Sequence, residues 1–254
     1  MTRALTRTPL HSSRLMRVLA DLALMDAAQA GTAFAEKLGQ WMNLGHAIAL
    51  HSALNAPPSA IKTPAPTGLR AALGEEFARV REALESTITS VVNPKAARGR
   101  GGLPTPDLLL PIEMPSAFEP YRRFYLAQQR DMELAMGPLR AKARDVLSRT
   151  SPALRTLATL DAALNAALNE RESKLLAHVP GLLEKRFTQL RQEHQHRLES
   201  AGLTDNPIHW MHAGGWLARF RTDLQTVLLA ELDLRLQPTV GLIEALNHET
   251  SPPL

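Results

Sequence analysis

PSAFEPYRRFYLAQQRDMELAMGPLRAKARDVLSR, residues 115–149, is the stretch that decides the fold. With Arg122 at zero and each residue turned by about 100°, the side chains separate into two sets. Phe118, Tyr121, Phe124, Tyr125, Met132, Ala135, Met136, Leu139, Ala143 and Val146 fall between about 200° and 320°. Arg122, Arg123, Arg130, Arg140 and Arg144 fall between roughly 0° and 100° on the same count. A strand would alternate every second residue, whereas this period belongs to one long amphipathic helix. Ser116 and Glu119 have the spacing of a capping box. Gly137-Pro138 predicts a bend, because proline removes one intrahelical hydrogen bond.

Working outward, the same period recurs. Ser151-Pro152 reads as a cap followed by a first-turn proline, opening a helix with Leu157, Leu160, Leu164, Leu168 and Leu175 on one seam. Pro180-Gly181 predicts a kink or break, after which Leu183, Phe187, Leu190 and Leu198 continue the seam to Gly202, a natural stop. Unbroken, that run would measure roughly 75 Å at ~1.5 Å per residue, which predicts a long helical hairpin. Leu217, Phe220, Leu224, Val227 and Leu234 mark the last major helix, and Pro238 restarts a shorter one. On the N-terminal side, Ser13 to Ala30 reads as a helix, Thr32 caps another, and "LGHAIALHSALN" gives a third. The chain divides into an N-terminal helical region (1–55), a proline-rich linker (56–68), a helix (69–92), a basic Gly/Pro-rich loop (93–115), a long-helix region (116–249) and a tail (250–254). The fold class is all-α, an elongated bundle of amphipathic helices containing a long, proline-kinked hairpin.

Composition agrees. The 254 residues are 44% hydrophobic but only 4% aromatic, a Leu/Ala-rich mix favouring helix over sheet. The absence of cysteine excludes disulfides, thiolate zinc sites and cysteine nucleophiles. The basic, apolar N-terminus imitates a signal peptide, but Arg14, Arg17, Asp21 and Asp26 interrupt it. No window reaches the roughly 18 apolar residues of a membrane span, so a cytoplasmic protein is expected. The net charge of +4 is a mild basic excess, compatible with an acidic partner, a membrane surface or nucleic acid.

Candidate chemistry is sparse. EHQHRLESAGLTDNPIHWMH, residues 193–212, holds four of the nine histidines. His194 and His196 are two apart on a helix and diverge by about 200°. His209 and His212 share a face only if that stretch is helical, and they lack a third ligand. No metal site and no cofactor are expected. "ARGRGG" lacks the lysine-Ser/Thr ending of a phosphate loop, and "HAGGW" has no accompanying nucleophile elbow. Nothing suggests a reaction type. Trp41, Trp210 and Trp216 read as core anchors, and the acidic residues as solvated helix surface. The better signal is the basic arc, Arg122, Arg123, Arg130, Arg140 and Arg144, with Lys95, Arg98 and Arg100 in the preceding loop, since arginine binds phosphates or carboxylates in bidentate fashion.

At FAEKLGQWMNLGHAIALHSALN (34–55), YRRFYLAQQRDMELAMGPLRAKARDVL (121–147) and LRLQPTVGLIEAL (234–246) the chain resembles a proteobacterial family that is itself similar to the ZorF-type accessory component of type III Zorya anti-phage systems. The resemblance covers most of the chain and carries no catalytic residues. It implies a cytoplasmic accessory acting beside a proton-driven, flagellar-stator-like membrane complex, with other Zorya components as partners. The expected function is a non-enzymatic helical adaptor or effector in anti-phage defence. Direct DNA binding through the arginine arc is the alternative, and a metal-dependent hydrolase through His209 and His212 the third reading.

Overall fold

The computed structural model describes residues 13–24, 43–55, 68–89 and 117–249. Among these every regular element is a helix: α1 (Arg14–Asp21), α2 (Leu44–Asn55), α3 (Leu69–Thr89), α4 (Glu119–Ser148), α5 (Pro152–Leu176), α6 (Val179–Ala201), a short 3-10 turn (Pro207–Met211) and α7 (Trp216–His248). Trp41, Thr32, Lys95, Arg98, Arg100 and nearly all of both linkers lie outside the described residues.

The centre is four helical rods, α4 to α7. Helices α4 and α7 run side by side in the same direction: Tyr121 meets Phe220 near one end, ring centroids 5.2 Å apart, and Val146 shares a core cluster with Leu246 near the other. Helix α5 returns antiparallel to α4 after the turn at 149–151, with Arg140 bonded to Asp161 and Gln129 to the Leu176 carbonyl. Helix α6 prolongs that descent and packs antiparallel to α7, with Phe187 against Phe220 and Arg186 against Asp223. Helix α3 descends against α4 and α7, its Glu76 paired with Lys142 and its Arg81 with Asp233. Helix α1 packs on α7 through Leu15 and Leu19, with Arg14 paired to Asp233, and α2 packs on α5. At one end the core is aromatic, gathering Phe118, Tyr121, Phe187, Phe220, Trp210 and Trp216. At the other it is aliphatic, with Leu73, Leu139, Val146, Leu154 and Leu242. Trp210 and Trp216 are core anchors, as expected.

Two local readings change, and the expected break near Pro180 falls at Ala177–His178. The first helix ends at Asp21, not Ala30. Ala23 turns into the left-handed region at φ 55° while the Leu24 N–H reaches the Leu19 carbonyl at 2.9 Å, closing a Schellman-type end. Glu119 is the first residue of α4 rather than the third that the capping box requires, Ser116 lying outside the described residues; Pro120 fits the first turn, and buried Phe118 fixes the entry by its aromatic contacts. The Pro152–Ala201 run breaks at Ala177–His178, although both residues keep helical angles. Pro180 has no N–H for the Leu176 carbonyl four residues earlier. That carbonyl instead accepts from Gln129 Nε2 at 3.1 Å, so the orphan created by the kink is satisfied across the hairpin. By contrast Pro138 and Pro238 sit inside continuous helices.

Candidate interaction surface and the buried polar network

Glu231 is 0% exposed in the middle of α7, which corrects the reading of every acidic residue as solvated surface. A charge there requires partners on all sides. Tyr125 donates its hydroxyl to Oε2 at 2.5 Å, Gln129 Nε2 donates to Oε1 at 2.9 Å, and Arg235, one turn on, donates Nε to Oε1 at 2.9 Å. Arg235 also reaches Glu133 of α4 at 3.5 Å. Because Gln129 caps the Leu176 carbonyl too, one cluster joins α4, α7 and the end of α5. Burial, with the Glu231 carboxylate beside it, holds the Tyr125 hydroxyl well above the usual tyrosine range. Burial likewise pushes Tyr121 up to about 12, against a smaller downward pull from Arg221. Desolvation in turn lowers Arg221 from its ordinary value. These groups occupy one another in a closed core rather than lining a cleft.

The arginine arc divides. Arg140 grips Asp161 of α5 with Nε at 2.9 Å and Nη2 at 2.6 Å, and gives Nη1 to Asn165 at 2.7 Å. Arg144 reaches the same aspartate at 3.3 Å. Both therefore fasten α4 to α5, and the fork geometry of guanidinium suits that task. Arg122, Arg123 and Arg130 face outward. Arg123 lies 3.8 Å from Glu119, while Arg122 and Arg130 have no ion pair among the described residues. Two apolar side chains share that face: Leu126, 43% exposed, and Leu134, 65% exposed. Periodicity placed the arginines on one side, but it carried no signal for which of them α5 would occupy.

Of the histidines in residues 193–212, His194 holds the local structure. His194 Nε2 and Trp210 Nε1 each lie 2.9 Å from Asp205 Oδ1, so one aspartate pins the 3-10 turn to α6. His196 projects into solvent, apart from His194, as its spacing dictates. His209 and His212 lie on the exposed rim of the 3-10 turn, ring centroids 5.3 Å apart. Among the described residues no group of three His, Asp or Glu side chains is placed to hold a metal ion. Gly215 follows the turn so closely that a Cβ there would lie 2.3 Å from the Trp210 carbonyl oxygen. A shallow groove along α6, lined by Gly181, Glu184, Lys185, Thr188, Gln189 and Gln192, gathers no catalytic set. No described helix is long and apolar enough to cross a membrane.

A family model described as "Protein of unknown function (DUF3348)" matches residues 1–248. No curated protein and no solved structure matches the chain.

Proposed function

From a chain that belongs to this family of proteins of unknown function, we propose a non-enzymatic helical adaptor or effector of bacterial anti-phage defence, cytoplasmic and acting with a proton-driven membrane motor complex. The defence setting rests on the resemblance of residues 34–55, 121–147 and 234–246 to the Zorya accessory family. The adaptor role rests on one observation: Tyr125, Gln129, Glu231 and Arg235 engage one another in the core, whereas Arg122, Leu126, Arg130 and Leu134 stand exposed on the outside of α4. Charged and apolar groups held together on such a face favour docking over chemistry.

The test is an infection assay of the intact gene neighbourhood with and without this chain, combined with co-purification of the tagged chain and the motor proteins. Loss of protection on removal, with co-purification during infection, is the expected result. Unchanged plating efficiency together with no association in infected or uninfected cells refutes the reading.

DNA binding is the second reading, favoured by the three arginines that remain open on α4. It predicts duplex binding that weakens steeply as salt rises and is lost when Arg122, Arg123 and Arg130 become glutamine.

A further inference from the structure

On α4, Arg122, Leu126, Arg130 and Leu134 follow one another at four-residue steps, and all four are exposed. Residues spaced by four form a continuous ridge on a helix, and such ridges seat in the groove of a second helix. This one is about 18 Å long at ~1.5 Å per residue, a little over three turns. The neighbouring row, Arg123, Ala127 and Asp131, is low at its centre, where Ala127 leaves room for an incoming side chain.

We propose that this ridge seats an acidic amphipathic helix of a partner protein, one that alternates carboxylates with aliphatic residues at the same spacing. The proposal rests on the adaptor reading and names the surface and the chemistry of the partner. Charge and apolarity alternate along the ridge, so its occupant must satisfy both. A nucleic-acid backbone would pair with Arg122 and Arg130 but leave Leu126 and Leu134 against phosphate and water. An acidic helix bonds the guanidinium groups through carboxylates and removes the two leucines from water. A second copy docking ridge to ridge would set arginine against arginine or leucine, and the ridge itself holds no carboxylate to pair with either. No other exposed face among the described helices alternates acid with leucine over two or more such steps.

Fluorescence anisotropy of the full chain tests this with a labelled helical peptide of about 20 residues carrying glutamate and leucine alternately on one four-residue ridge. A scrambled peptide, a duplex DNA of similar length and phosphatidylglycerol vesicles are the comparisons. The expected result is binding at least about tenfold tighter to the ordered peptide than to the scrambled one. Leu126→Ser with Leu134→Ser, and separately Arg122→Gln with Arg130→Gln, should each weaken it by about tenfold or more, only the latter pair removing its salt dependence. Arg171→Gln, an exposed charge change on α5, should leave it unaltered. Circular dichroism of each variant keeps loss of binding apart from loss of fold. Equal affinity for both peptides overturns the proposal, as does tighter binding of duplex or vesicles that survives the leucine changes. Co-purification with the motor proteins that is unaffected by the leucine pair removes the ridge but leaves the adaptor reading intact. Absence of co-purification by the unaltered chain, together with unchanged plating efficiency on its removal, removes the adaptor reading itself.

Discussion

Replacing Glu231 with leucine removes a carboxylate that three side chains converge on. The hydroxyl of Tyr125, donated at 2.5 Å, loses its acceptor within a site where Tyr125 is fully buried. Arg235 loses the partner 2.8–2.9 Å away and keeps only Glu133 at 3.5 Å. Gln129 retains the Leu176 carbonyl. Removing one member of a buried ion pair typically costs about 3–5 kcal/mol, because the other charge stays buried without compensation. The tyrosine bond to a charged acceptor is worth about 1.5–3 kcal/mol by itself, but the two effects share one carboxylate and do not add in full. A loss of about 4 kcal/mol is therefore expected. That corresponds to roughly 8–16 °C in Tm for a domain of this size. Urea unfolding followed by circular dichroism measures it, with the denaturant slope showing whether the transition stays cooperative. The sharper comparison is Glu231→Leu with Arg235→Leu together. Removing both charges at once removes the uncompensated guanidinium, so the double variant should be more stable than Glu231→Leu alone by about 1 kcal/mol or more. A single-variant loss below about 1 kcal/mol would refute the account of Glu231 as an obligatory buried acceptor. So would a double variant whose loss equals the sum of the two single losses, since independent sites add.

Alkaline pH should act through the two tyrosines. Both have folded-state values raised above the ordinary 10.0, Tyr121 to about 12 by burial and Tyr125 well above 10.0 by burial and the Glu231 carboxylate. A raised value means that the folded chain holds the proton more tightly than the unfolded chain. Their contribution to stability is thus complete below the unfolded value of 10.0 and is lost as pH climbs above it, that of Tyr121 through about 12. Tyrosinate absorbance near 295 nm should rise together with the loss of helical dichroism. Tyrosinate appearing at its ordinary pH in a chain that is still fully helical would contradict the burial of these hydroxyls. At Gly215, alanine would place its Cβ 2.3 Å from the Trp210 carbonyl and 2.5 Å from that of His209, neither of which is a yielding side-chain tip. Gly215→Ala should cost about 2 kcal/mol or more and disturb the Trp210–Trp216 contact, visible in tryptophan fluorescence and in thermal unfolding. A neutral result would show that the 3-10 turn shifts freely.

The period of the apolar residues alone determined that this is a helical protein and where the long helices lie, while the return of α5 along α4 was decided by tertiary packing. Tyr121, Phe124, Tyr125, Met132, Met136, Leu139, Ala143 and Val146 were all legible as the inner face of α4, because burial of an apolar stripe is a local property of the pattern. Gln128 and Gln129 are buried on that helix too. Polar residues flanking an apolar stripe were the available hint, but nothing local could disclose that Glu231, about a hundred residues away, would require them. The same holds for the arginines. All five stand on one side of the helix, yet the tertiary structure gives Arg140 and Arg144 to Asp161 and leaves Arg122 and Arg130 open. Hydrophobic periodicity is short-range and non-directional, so the chain writes it in consecutive residues. Ion pairs and hydrogen bonds depend on distance and angle between groups that only the packed helices bring together.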